Sequence, residues 1–270
     1  MAQVALGIVN GEVKECALPD PWEKVMDGVV WGEFDTFFTP AFWVVQAWLD
    51  KDQKRYGAYK LGASLQEEVT ACLLGGHGIP SEVGLAAYRA VRDRGLLTKE
   101  TLTQEELTAV LREPMDVGGR QVRYRFWKQK SKYLWESLQA ISKGNPPEDH
   151  RAFRNWLIEK LPGVGPKTAS WITRNWLSSD EVAIIDIHIQ RAGLHAGFFD
   201  KNLTIDKNYS QMEARFLQFA HAIGIRPAVL DTLIWRQMKD LTSTSIKPKT
   251  PPKNIHHQQY FFPEILAGAC

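Results

Sequence analysis

Cysteine is scarce. Three occur in 270 residues, Cys16, Cys72 and Cys270, too far apart to supply the run of thiolates that holds an iron–sulfur cluster. No Cys-x-x-Cys or His-Glu-x-x-His stretch is present, so no metal site is predicted. No apolar run approaches the ~18 residues of a membrane span. The N-terminus lacks a basic region followed by an apolar core, so no secretory signal is expected. The setting this implies is a reducing, intracellular one, the cytoplasm and its nucleoid in a prokaryote or the nucleus in a eukaryote. Charge excess is small too. Lys and Arg number 33 against 31 Asp and Glu, so any attraction to an acidic partner must come from local clusters. No internal repeat is visible. What is abundant is tryptophan, ten residues, in a chain of ordinary 44% hydrophobic content. At this length it buries one large core or two small ones.

The chain is organised around Leu161-Pro-Gly-Val-Gly-Pro-Lys-Thr-Ala-Ser170. Phe153, Trp156, Leu157 and Leu161 recur at helical spacing before it; Ala169, Ile172 and Trp176 do so after it. Pro162 and Gly163 resist a helix interior, Gly165 tolerates a positive φ, and Pro166 suits the first position of a new helix. The pattern is helix, glycine hairpin, helix. Backbone N–H groups of such a hairpin, with the following helix N-terminus, hold a phosphate without a side chain. Lys167 lies in the first turn of the second helix, where the dipole disfavours a cation and eases deprotonation. Trp171 is one turn further on the same face. Asp186 follows the apolar run Val182–Ile185 and precedes the helical pattern Ile187–Leu194, which it would cap.

Elsewhere the signals are weaker. Asn10-Gly11 between Val4–Val9 and Glu12–Leu18 predicts a small β-hairpin. A short helix is predicted over Trp22–Gly32, and another from Thr39-Pro40 to about Asp50. Gln46 on the latter is either a core-helix residue or a hydrogen-bond partner for a base edge. Lys51–Gly62 reads as a connection. Helices over Leu65–Leu74 and Glu82–Arg94 flank Gly75-Gly-His-Gly-Ile-Pro80, a glycine loop. Thr103-Gln-Glu-Glu106 opens a helix as a capping box, and Pro114–Gly119 breaks the chain. The stretch from Arg120 to Lys132 holds six basic residues, Arg123, Arg125 and Lys128 among them, interleaved with Tyr124, Phe126 and Trp127. It reads as a helical face whose rings pack inward while cations meet phosphates. Asn145 is a candidate cap for the helix entering the hairpin. Gly197–Asn208 reads as a loop, Ser210–Ile223 and Ala228–Asp240 as the last two helices. Asp231 and Trp235 share a face of the second. Residues 246–270 read as a tail, with Tyr260–Leu266 able to dock back.

Leu-Pro-Gly-Val-Gly-Pro-Lys, with the aspartate of Ile-Ile-Asp-Ile-His 19 residues after the lysine, resembles the helix-hairpin-helix DNA glycosylases, and within them the 8-oxoguanine DNA glycosylases of archaeal type. The resemblance covers most of residues 65–240. It implies an all-α fold of two helical subdomains with a cleft between them. The central one spans 63–185, with its hairpin motif at 150–177. The other is split between 1–62 and 186–245. It also implies the chemistry. An extruded base lies between Trp171 and Trp235, with Asp231 as its polar partner. Lys167 attacks the sugar and Asp186 supports it. His77 stands at the wedge position, although relatives more often carry Asn or Gln there. Gly163 and Gly165 meet DNA phosphate, and a monovalent cation binds hairpin carbonyls. The iron–sulfur cluster of endonuclease III is absent from the sequence. The expected enzyme is a bifunctional glycosylase and lyase for oxidised guanine in double-stranded DNA, acting as a monomer. Two other readings stay open: a glycosylase for another damaged or modified base, and a non-catalytic DNA-binding module. The structural alternatives are core tryptophans, a capping aspartate and a phosphate-binding lysine.

Overall fold

The structure, a computed structural model, describes residues 1–50, 59–76 and 78–243. Most of the connection at 51–62, the tail with Tyr260–Leu266, and His77 lie outside the described residues. Among those described, ten α-helices carry the fold, and six short strands form only two-stranded antiparallel ribbons. β1 (Gln3–Val9) and β2 (Glu12–Leu18) pair from Gln3↔Leu18 to Val9↔Glu12. Asn10 and Gly11 turn the ribbon at φ 54° and 83°, the two-residue geometry that Asn-Gly favours. Its inner face, Ala5 and Leu18, packs on Ala41 and Val45 of α1 (Pro40–Leu49).

Five details depart from the sequence reading. Residues 22–32 form no helix. β3 (Lys24–Met26) and β4 (Val29–Val30) pair there across Asp27-Gly28, with Gly28 at φ 79°. β-branched Val25, Val29 and Val30 favour extended backbone. Pro114–Gly119 is not a plain break. β5 (Pro114–Val117) turns at Gly118-Gly119, both at positive φ, and returns as β6 (Arg120–Arg123). The basic stretch therefore starts on a strand and becomes helical only in α5 (Trp127–Lys143). Asn145 does not cap α6 (His150–Lys160). Asp149 does, accepting the Ala152 N–H at 2.7 Å. α9 (Ile205–Ala222) begins inside the stretch read as a loop and kinks at Asn208. The fifth, at Gly165, belongs to the site below.

The middle of the chain has its own core. α2 (Leu65–Leu74), α3 (Ser81–Asp93), α4 (Gln104–Arg112), α5, α6 and α7 (Pro166–Leu177) bury Leu73, Leu107, Leu111, Leu134, Leu157 and Ile172. α4 opens with the full capping box, Thr103 and Glu106 exchanging side-chain-to-backbone bonds. A second core joins the two ends. Met26, Phe38 and Trp43 pack with Ile189, Phe198, Phe216, Phe219 and Leu233, from α8 (Ile187–Ala196), α9, α10 (Pro227–Ser243) and the connections between them. Buried polar groups tie the two cores. Glu213 of α9, 6% exposed, accepts from Arg154 of α6 at 2.9 Å, from Ser170 of α7 at 3.0 Å and from the Ala183 N–H at 3.0 Å.

Candidate active site

The hairpin joins α6 to α7. Leu161 and Val164 are buried and fix the turn to the central core. Gly163 takes φ 74°, and a Cβ there would lie 2.2 Å from the Tyr133 ring. Conformation and space both demand glycine at that position. Gly165 departs from the sequence reading. Its φ is −89°, backbone that any residue adopts. It is the N-cap of α7, with no side-chain cap, and nothing lies within 4 Å of where its Cβ would stand. Open space in front of uncapped helix N–H groups is what an anion needs. The turn also borders a shallow surface concavity of about 450 Å³, lined by residues 158–165.

Lys167 follows Pro166 in the first turn of α7 and is half-buried. Trp171, also half-buried, covers Gly75 at the end of α2. A Cβ on Gly75 would come within 3.2 Å of its ring. Across the boundary between the cores, Asp186 caps α8. It is 7% exposed, and its Oδ1 accepts the N–H groups of His188 at 2.8 Å and Ile189 at 3.0 Å. These bonds hold the carboxylate at the helix start, with its second oxygen left out of the cap.

His188 follows Asp186 in the first turn of α8. Burial lowers its imidazole pKa. The Asp186 carboxylate opposes that shift, while Arg191, Lys167 and Lys239 add to it. Lys239 also lies over Trp235, 4.8 Å from the ring centroid, and Trp235 is 39% exposed. Asp186 and His188 thus stand together at the start of α8, Lys239 and Trp235 together on α10, and Lys167 and Trp171 one turn apart on α7. The sequence reading missed His188, although it stands two residues after Asp186, and Lys239, one turn after Trp235.

The other candidates lie differently. Gln46 is half-buried and accepts from Gln237 of α10 at 2.8 Å. Asp231 is 3% exposed and paired with Arg174, and burial raises its carboxyl pKa while Arg174 pulls it down. Arg123, Arg125 and Lys128 are exposed. Between them Tyr124 is buried and donates to the Leu74 carbonyl at 2.7 Å, and Phe126 lies under Gly78. These rings seat the cations beside the glycine loop that leads to Trp171. Among the described residues, no group of three or more His, Cys, Asp or Glu is placed to hold a metal, and no helix is long and apolar enough to cross a membrane.

A family model described as 8-oxoguanine DNA glycosylase, Ogg-HhH, matches residues 51–225. The chain belongs to this family. Among its relatives, the 8-oxoguanine DNA glycosylase/AP lyase of Thermoplasma acidophilum is 29% identical over 188 residues, which is 68% of this chain and 82% of that one. The 8-oxoguanine DNA glycosylase of Thermotoga maritima superposes with a TM-score of 0.52 at 25% identity, covering 69% of this chain and 88% of that one. The 8-oxoguanine glycosylase/lyase of Methanocaldococcus jannaschii, in complex with a 15mer DNA containing 8-oxoguanine, has the same fold, with a TM-score of 0.52 at 23% identity over 69% of this chain and 87% of its own. The Ogg-HhH match includes the hairpin, Lys167 and Asp186. It leaves out β1, β2, α1 and α10.

Proposed function

We propose that this chain is a DNA glycosylase with lyase activity that excises 8-oxoguanine from double-stranded DNA, with Lys167 as its nucleophile. The observation that carries this reading is the helix-hairpin-helix turn that sets Lys167 in the first turn of α7, with Asp186 buried as the cap of α8, in a member of the 8-oxoguanine glycosylase family. A base inside a duplex hides its glycosidic bond and must be extruded, at a cost of a few kcal/mol. Trp171 and Trp235 supply apolar plates for the extruded ring, which offsets that cost. The Lys167 amine, in its deprotonated form, attacks C1′ as the C1′–N bond breaks, and the departing base takes the proton that the newly bonded nitrogen sheds. Asp186 stabilises the positive charge that builds on the sugar. Protonation of the ring oxygen by solvent then opens the sugar and leaves a protonated Schiff base on Lys167. Removal of a C2′ proton then expels the 3′ phosphate by β-elimination. The open N-terminus of α7 at Gly165 suits a backbone phosphate, and Arg123, Arg125 and Lys128 suit others. The turn from Pro162 to Gly165 offers only neutral peptide oxygens, a donor set that fits the monovalent cation expected there.

Borohydride trapping on a panel of duplexes tests this reading. The expected result is covalent capture and base release with 8-oxoguanine, and far less with hypoxanthine, uracil or undamaged guanine. Equal release of several bases rejects the substrate, and tight binding without capture rejects the enzyme.

Gly165→Ala separates ligand from fold. No protein atom opposes the added methyl, so the melting temperature should stay within a degree or two. Affinity for duplex DNA should fall about tenfold, the worth of one charge-assisted hydrogen bond. Unchanged affinity in a binding titration would remove the phosphate from this site.

A further inference from the structure

Asp231 stands one turn before Trp235 on α10, yet its side chain is buried at 3% exposure, with Oδ1 2.5 Å from Nη1 of Arg174. Arg174 lies on α7, two turns beyond Lys167, and is itself 9% exposed. Its guanidinium is held on every side. Nη1 also donates to Thr232 of α10 at 3.1 Å, Nε and Nη2 donate to Asn175 Oδ1 at 3.1 and 2.9 Å, and the Tyr59 ring lies 4.6 Å away. Asn175 passes the contact on, donating to Glu68 of α2 at 2.7 Å. Glu68 in turn accepts the N–H groups of Leu61 and Gly62.

This buried chain of polar groups crosses the boundary between the cores. Ile172 of α7 belongs to the central core, and Leu230 and Leu233 of α10 belong to the other. α8, capped by Asp186, packs on α10. How α7 is held to α10 therefore sets where Lys167 stands relative to Asp186. A charged pair removed from water is strong and directional, so it fixes that register more narrowly than apolar contact does.

The geometry points to Arg174 and Asp231 as positioning residues, which hold the Lys167 amine and the Asp186 carboxylate in register across the core boundary. This rests on Lys167 being the nucleophile. A role in reading the base would matter only while a base is present. A positioning role also governs cleavage at an abasic site, where the same amine meets the same carbon without a base.

Asp231→Asn and Arg174→Gln test the inference, with single-turnover rates measured on an 8-oxoguanine duplex and on an abasic-site duplex, beside Kd for each. Each variant should slow both reactions by a similar factor, about 10², the cost of a misplacement near 1 Å. Kd should stay within twofold, and the double variant should be no slower than the worse single. Thr232→Val removes one of the two α10 contacts and leaves the ion pair, so it should slow both reactions a few-fold even if the other variants fold poorly. Slowing confined to the 8-oxoguanine duplex overturns the inference and makes Asp231 a base contact. Unchanged rates with a lowered melting temperature also overturn it, leaving the pair as structural glue. A wild-type chain inactive on both duplexes instead defeats the parent reading of Lys167.

Discussion

Replacing Lys167 with alanine should abolish borohydride trapping and lower single-turnover excision of 8-oxoguanine by about 10⁴-fold or more, as loss of a nucleophile does elsewhere. The fold should survive, because Lys167 is half-buried in the first turn of α7 and its side chain supports neither core. The rival role for a lysine beside a helix-hairpin-helix turn is phosphate binding. That role predicts a different pattern: weaker binding, a smaller salt slope and largely intact chemistry at saturating enzyme. Kd and the saturated rate must therefore be measured separately. A variant that binds as well as wild type and forms no adduct identifies the nucleophile. One that binds poorly yet still cross-links would assign the covalent bond to another amine, and Lys239, which lies over the Trp235 ring, would be the next to replace.

The hairpin and its lysine were legible because their signals are local. Proline and glycine fix the backbone within a few residues, and a lysine one position past a helix-starting proline has only one neighbourhood. The division of labour between the two glycines was not legible. Gly163 combines a positive φ with a Tyr133 ring, thirty residues earlier, that fills the space a Cβ would need, while nothing lies within 4 Å of where a Cβ on Gly165 would stand. Residues 22–32 misled in the same way. Their apolar spacing admits a helix, but Asp27-Gly28 turns the chain so that Met26 and Val29 reach the core built by α8 and α9. Asp231 is the sharper case. Its i, i+4 spacing to Trp235 placed the two on one face, and only the fold shows that Arg174, from another core, is paired with it. Pairings across the boundary between cores leave no periodicity in the chain.

Glu213→Ala should be the most destabilising single change proposed here. Its carboxylate, 6% exposed, receives Arg154, Ser170 and the Ala183 N–H. Truncation leaves a half-buried guanidinium, a buried hydroxyl and a buried amide without that acceptor. Removing one partner of a buried ion pair costs about 3–5 kcal/mol, a large share of the ~5–15 kcal/mol that a domain has in total. Two details indicate the upper part of that range. The lost acceptor serves three donors at once, and those donors lie on α6, α7 and the segment leading to Asp186, which must all stay together for the site to exist. Glu213→Gln keeps an acceptor oxygen and loses the charge, so it should fall between wild type and alanine. The internal control is Glu159→Ala, which removes an exposed partner of Lys160 on α6 and should leave stability unchanged, as surface pairs do. Urea unfolding of the three variants, with slopes compared as well as midpoints, checks the order. If Glu213→Ala unfolds at the midpoint of Glu159→Ala, the boundary between the cores is held by apolar contact alone, and the buried carboxylate has no stabilising part in joining them.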